Sequence, residues 1–294
     1  TQLEEKITKI NQRLLQTRSY RIRPGLDDKS LTSWNAMALK GLCDAYMVFQ
    51  EDDMLLLLLK NAKWIKESQI KADGSLWRSY KKGKSSVDAF LEDYAHVIAG
   101  FIATYQVSLD EQWLLIAKEL MDYCSDNFQD SVSKMFFFTP SSTKLIARKM
   151  EVNDNVIPAS NSVMARNAFY LGKYFRNEQY SETAKQMLAN VYDGMEMYGS
   201  GYSNWGMLLN HIVYGQYEVL VIGPDAKQTM KILSKSISAE VILAGTTRKS
   251  EIPIFVEKSD NEKTMIYVCE DGTCFLPTED FNEALQSLSS GEHG

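Results

Sequence analysis

Along most of the chain, apolar residues recur every three or four positions, the period of a helix with one buried face. Residues 1–16 open with Leu3, Ile7, Ile10 and Leu14 at that spacing. A charged loop over residues 20–31 follows, and Thr32 or Ser33 is positioned to cap the next helix, whose apolar side includes Met37, Leu42, Tyr46 and Phe49. A partner helix is predicted over 54–68. The turn Lys71-Ala72-Asp73-Gly74 then leads into the alternating stretch Ser75-Leu76-Trp77-Arg78-Ser79-Tyr80, which reads as a hairpin strand. The same order recurs over 91–105 and 111–128, where the aromatic run Phe136-Phe137-Phe138 precedes a polar loop, and again over 161–175 and 180–195. A unit of helix, helix and loop thus repeats at roughly 60 to 70 residues. Hairpins in series bury one face on their neighbours and make either an open solenoid or a closed α/α toroid.

After a last short helix near 205–214 the period changes. Tyr217-Glu218-Val219-Leu220-Val221-Ile222-Gly223 reads as a buried strand, 226–236 as a helix and Glu240-Val241-Ile242-Leu243-Ala244 as a second strand, together a βαβ unit. Residues 263–269 supply a third strand and 278–288 a final helix, while the tail 289–294 is expected to lack order. The organisation predicted is therefore mainly α: a helical-hairpin segment over 1–215 and a small α/β unit over 216–290.

Charge and composition narrow the classes of function. With 294 residues and 45% hydrophobic content the chain can bury a sizeable core. Its formal charge of −6 offers no basic field for a phosphate backbone, so nucleic acid is not an expected partner. The longest apolar run, from Met54 to Leu59, falls far short of the roughly 20 residues that span a bilayer, and no membrane association is expected. The opening residues are charged and amphipathic, unlike a signal peptide, although the absence of an initiator Met suggests a fragment of a longer protein. Cys43, Cys124, Cys269 and Cys274 are too sparse for a disulfide framework, which favours a reducing compartment and the cytosol. Three scattered His and no repeated carboxylate–histidine spacing give no metal signature, and Gly223-Pro224-Asp225 lacks the glycines of a dinucleotide loop, so no cofactor is predicted.

Four motifs in order carry a resemblance to a known family. They are Arg23-Pro24 with Asp27-Asp28-Lys29 and Thr32-Ser33-Trp34-Asn35, then Phe90-Leu91-Glu92-Asp93-Tyr94-Ala95, then Asp154 with Ile157-Pro158-Ala159-Ser160-Asn161-Ser162, and finally Cys269-Glu270-Asp271-Gly272-Thr273-Cys274 followed by Pro277. Together they resemble the thioredoxin-domain-containing family that includes the spermatogenesis-associated, YyaL-like proteins. The resemblance implies an amino-terminal thioredoxin-like domain, an (α/α)6 barrel like those of six-hairpin glycosidases and N-acylglucosamine 2-epimerases, and a small carboxy-terminal unit. The thioredoxin-like domain and the earlier barrel helices would lie outside this chain. One departure stands in the third motif, where Ala159-Ser160 replaces the family's usual Ser-Gly.

The candidate chemistry sits in the loops that precede hairpin helices. Asp27 and Asp28 lie beside Trp34 and Asn35; carboxylates accept hydroxyl hydrogen bonds while an indole packs on the C–H face of a pyranose, a composition suited to a sugar subsite. The competing reading is helix capping by either Asp and core burial of Trp34. Glu92 and His96 are four apart, on one helical face, with Asp93 adjacent, and His96 is the leading candidate for a general base; a capping or bridging cluster at a helix start is the alternative. Asp154, Asn161 and Ser162 bracket the third loop. Catalytic candidates are accordingly Asp28, Glu92, Asp93, His96 and Asp154, and substrate contacts Asp27, Trp34, Asn35, Arg78, Tyr94, Asn161 and Ser162, although surface exposure is the expected fate of Arg78. His211 reads as a lone satisfied histidine. Cys269 and Cys274 flank a Gly-containing turn and are candidates for a redox pair.

A sugar isomerase, epimerase or hydrolase working by acid–base chemistry on a small saccharide is the leading expectation. Its rivals are a noncatalytic scaffold that binds a glycan or partner and presents the thioredoxin-like domain, and thiol redox work through Cys269 and Cys274. Exposed apolar helix faces on a partial toroid would favour a homodimer.

Overall fold

The helix over Leu91–Ser108 is apolar on nearly every side, and such a helix has to be surrounded. The computed structural model describes residues 1–215, 217–237, 241–256, 258, 262–270 and 272–289. Its elements run α1 (Gln2–Ser19), β1 (Ser30–Leu31), α2 (Thr32–Phe49), α3 (Asp52–Ser68), β2 (Trp77–Lys81), β3 (Lys84–Asp88), α4 (Leu91–Ser108), α5 (Gln112–Phe128), α6 (Ser160–Phe175), α7 (Glu178–Met197), α8 (Ser203–Val213), β4 (Tyr217–Ile222), α9 (Ala226–Leu233), β5 (Ile242–Thr246), β6 (Met265–Glu270), β7 (Thr273–Cys274) and α10 (Phe281–Ser289). The expected start of the second α/β strand at Glu240 and the tail from 290 onward lie outside the described residues.

Around α4 the helices form two layers. In the inner layer α2, α4, α6 and α8 lie side by side and parallel: Cys43 meets Thr104 near the ends of α2 and α4, Asn167 donates to the Ala95 carbonyl at 2.8 Å, and the Phe169 and His211 rings stack at 5.7 Å. Gly100 permits the close approach of α2 to α4, because a Cβ there would stand 3.2 Å from the Ala36 carbonyl oxygen. Each outer helix runs back against its inner partner. Thr32, at the start of α2, bonds Gln69, just past the end of α3; Phe101 of α4 packs on Trp113 at the start of α5, and Tyr94 on Phe128 at its end. α2 buries Ala36, Leu39, Cys43 and Tyr46. Phe49, expected on its apolar side, is exposed instead because it lies on the face turned away from α4. α1 buries nothing, so its Leu3, Ile7, Ile10 and Leu14 stripe stays open to water.

Between α3 and α4 the expected strand is present and pairs antiparallel with β3, whose polar Lys84-Ser85-Ser86 run gave no alternating signal. The carboxy-terminal sheet has the order β5-β4-β6-β7, with β4 and β5 parallel, as expected of a βαβ unit, and β6 antiparallel to β4. Its side chains alternate as the pleat requires. Leu220, Ile222, Ile242, Ala244, Tyr267 and Cys269 join the core of the helical hairpins, whereas Val219, Val221, Leu243, Ile266 and Val268 pack under α9 and α10. Gly223, at φ 139°, makes the exit from β4, where a Cβ would stand 2.5 Å from the Thr264 Cα.

The sheet covers the carboxy-terminal ends of the inner helices. The Tyr105 hydroxyl donates to the Gly245 carbonyl at 3.2 Å and the Tyr174 hydroxyl to that of Leu243 at 2.8 Å, both on β5. Arg176, which ends α6 in the left-handed conformation, forms a bidentate pair with the fully buried Glu218 of β4 at 2.8 and 2.6 Å. Removing one member of a buried pair strands the other's charge. Arg176→Met is therefore expected to cost roughly 3 to 5 kcal/mol in urea unfolding, with a smaller loss in Arg176→Met/Glu218→Met, where no charge is left behind.

Candidate functional site

Parallel inner helices bring their amino termini to one end, and each terminus presents backbone N–H groups without helical partners. Two buried carboxylates answer them. Asp93 is fully buried; its Oδ1 accepts from the Ser33 amide of α2 at 3.0 Å, and its Oδ2 accepts from the Phe90 amide at 3.0 Å and from Arg78 Nη1 at 3.0 Å. The cap expected from Thr32 or Ser33 is therefore supplied from a different helix. The Thr32 hydroxyl donates to the Trp77 carbonyl at 2.6 Å, and the Ser33 Oγ is buried without a partner. Asp154 repeats the device across α6 and α8: Oδ1 accepts from the Ala159 amide at 2.9 Å and the Ser162 hydroxyl at 2.7 Å, and Oδ2 from the Asn204 amide at 2.9 Å.

Several other predicted residues are held in the same framework. Asn161 is fully buried and brackets Phe136, accepting its N–H at 2.8 Å and donating to its carbonyl at 2.9 Å. Tyr94 stacks on Tyr123 and accepts from the Leu76 amide at 3.0 Å. Asn35 donates to the Leu31 carbonyl at 2.8 Å. Arg78, expected at the surface, is largely buried, because Glu92 at 2.6 Å and Asp93 hold it over the Phe90 ring. At the rim, Asp28 pairs with Lys81, Asp27 with Lys29 at 3.3 Å, and Trp34 stands 64% exposed.

What remains with free polar atoms faces inward. Tyr94 and Phe101 fix which side of α4 meets α5; at 100° per residue Glu92 and His96 fall on the opposite side, toward the axis of the inner layer. Glu92 Oε1 accepts from Arg78, and His96 Nε2 is buried with no hydrogen-bond partner among the described residues. Two more buried side-chain atoms on inner-layer helices, neither singled out as a site atom by the sequence, also lack a hydrogen-bond partner among the described residues. Besides the Ser33 Oγ, Arg166 of α6 reaches the start of α8, where Nη1 lies 3.4 Å from Asn204 Oδ1, while its Nε is buried and unpartnered. Nothing local marks Arg166, whose partner Asn204 lies 38 residues further on.

The electrostatics follow from burial. Desolvation raises Asp93 from 3.8 to about 6 against the pull of Arg78, and lowers His96 from 6.5 to about 4, so the imidazole is neutral at physiological pH. Cys43, buried in the helix core, is pushed up to about 12, and Cys124 also rises, leaving both as inert thiols. Cys269 and Cys274 are joined by a disulfide between β6 and β7, at the end away from this cluster. Among the described residues no group of three His, Cys, Asp or Glu side chains is placed to hold a metal ion, and no helix is long and apolar enough to cross a membrane.

An inner layer of four parallel helices, three of them backed by an antiparallel outer helix, with the carboxy-terminal end covered by the sheet, is part of an α/α toroid. The chain is 24% identical over 92% of its length to human spermatogenesis-associated protein 20, and 23% identical over 96% to an uncharacterized protein of Caenorhabditis elegans, so the resemblance carried by the four motifs extends along nearly the whole chain. It spans about two fifths of these relatives, 37% and 41% of their lengths. A GH76 α-mannanase from Bacteroides thetaiotaomicron shares the fold with a TM-score of 0.52 at 13% identity, covering 79% of this chain and 66% of that one. No family model matches the chain.

The two buried titrations oppose one another. A raised Asp93 favours the fold below 3.8 and loses that contribution as pH rises through about 6; a depressed His96 favours it above 6.5 and loses that contribution as pH falls through about 4. Each full swing is roughly 3 kcal/mol. Between pH 4 and 6.5 the protein should therefore show a nearly flat stability profile. Chemical denaturation of His96→Gln should show stability rising on acidification, and that of Asp93→Asn, from a lower start, should show it falling.

Proposed function

We propose that the amino-terminal end of the inner helices binds a small saccharide and that Glu92 and His96 carry acid–base chemistry there. The observation that supports this most is the division of labour among the acids. Asp93 and Asp154 have both oxygens engaged in holding helix termini, whereas Glu92 has its Oε1 on Arg78 and the neutral His96 has its Nε2 without a partner among the described residues. A carboxyl group beside a guanidinium and a neutral imidazole one helical turn away is a pair able to take and return a proton at a sugar carbon or a glycosidic oxygen. Arg78 holds Glu92 in place, and Trp34 offers an exposed indole face at the rim, with Asp27 and Asp28 as hydroxyl acceptors on the loop before it. The fold shared with a mannan-degrading enzyme is compatible with a sugar at this end.

A second reading, a noncatalytic glycan- or partner-binding module that presents an amino-terminal thioredoxin-like domain in the longer polypeptide, draws on the same fact that the most buried acids serve the fold. Thermal unfolding with a panel of mono- and disaccharides, followed by NMR of the anomeric signals, separates the two. For the enzyme, one sugar should stabilise the protein, by about 2.7 kcal/mol at a hundredfold excess over Kd, and be converted. Glu92→Gln and His96→Gln should keep the stabilisation and lower turnover by 10² or more. Stabilisation without conversion favours the module; no response to any sugar removes the saccharide reading.

A further inference from the structure

At the covered end, where α2 and α4 finish and α9 crosses them, a cleft of about 230 Å³ lies between the helical hairpins and the α/β unit. Junctions between packed units are frequent seats for small ligands. Tyr46, Met47, Leu59 and Met230 make its walls largely apolar. Lys227 and Lys231, four apart on one face of α9, line it from the other side. Lys231 is engaged, with its ammonium 6.0 Å from the centre of the Tyr46 ring and 3.9 Å from Asp52. Lys227 has no hydrogen-bond or charged partner among the described residues. Gln50, across the cleft, donates from Nε2 to the Met47 carbonyl at 2.9 Å and to the Ser234 hydroxyl at 3.1 Å, which leaves its Oε1 shut off from solvent with no donor.

A free ammonium at the edge of an apolar cleft selects for charge at one end of a ligand and apolar surface along the rest. We propose that this cleft binds a small amphiphilic organic anion, its acid group on Lys227 and its apolar body against Tyr46, Met47 and Met230. The site is independent of the saccharide reading and lies at the opposite end of the inner helices.

Methyl NMR of the protein carrying [13C-methyl]methionine tests it, because Met47 and Met230 line the cleft while Met121 and Met164 are buried in the helical core and report folding. Octanoate serves as probe and octan-1-ol as its uncharged counterpart. Octanoate should shift the Met47 and Met230 methyls saturably, and Lys227→Glu should weaken it about tenfold while leaving the response to octanol and the Met121 and Met164 signals unchanged. Equal affinity for the acid and the alcohol, an unaltered octanoate affinity in Lys227→Glu, or shifts that bypass Met47 and Met230 would overturn the proposal.

Discussion

The whole helical layer depends on a buried carboxylate placed between the starts of two parallel helices. Parallel packing sets like ends of helix dipoles side by side and crowds their unpaired N–H groups into one apolar neighbourhood. Asp93 answers this for α2 and α4, and Asp154 for α6 and α8. Each oxygen meets at least one donor, so hydrogen bonds from two elements at once satisfy these buried carboxyl groups, although at Asp93 desolvation still prevails. Asp93 also draws in Arg78, which ties the β2–β3 hairpin to the same junction. Two of the acids at this end, Asp93 and Asp154, are thus accounted for by the architecture before any substrate is considered.

The other end has the complementary problem, exposed carbonyls and a negative dipole end, and it is met with different chemistry. Tyrosine hydroxyls from α4 and α6 bond the backbone of β5, and Arg176, at the carboxy-terminal cap of α6, reaches the buried Glu218. A cation is the favoured partner for a helix carboxy terminus, and here its counter-ion belongs to the sheet, so the α/β unit is registered on the helices by charge as well as by the apolar face of Leu220, Ile222, Ile242 and Ala244.

Local pattern made the helices legible. The recurrence of apolar positions gave each hairpin, and short continuous apolar runs gave β4, β5 and β6. The small strands β3 and β7 carry no such signal, since Lys84-Ser85-Ser86 is polar throughout and Thr273-Cys274 is two residues long. The site was legible in part. Glu92 and His96 share a face by spacing alone, but whether an acid is a cap or a reagent depends on partners distant in sequence. Ser33 reaches Asp93 across 60 residues, and Asp154 meets Asn204 across 50. Arg78 looked exposed for the same reason: its two acids lie on the next helix.

This division bears on how an active end could evolve on such a frame. If every acid at the mouth were a cap, replacing any of them would unfold the protein and none would be free to change chemistry. Glu92 stands one residue before Asp93, so the helix that the cap fixes also fixes the carboxylate beside it and the imidazole one turn on. Glu92 is anchored by Arg78, and Arg78 is itself held by Asp93. The structural acid therefore orients the candidate reagent through a shared guanidinium. A weakened Asp93 would disturb Glu92 without touching it, whereas a change at Glu92 leaves the junction of α2 and α4 intact. That asymmetry is what allows fold and chemistry to occupy consecutive positions in one helix.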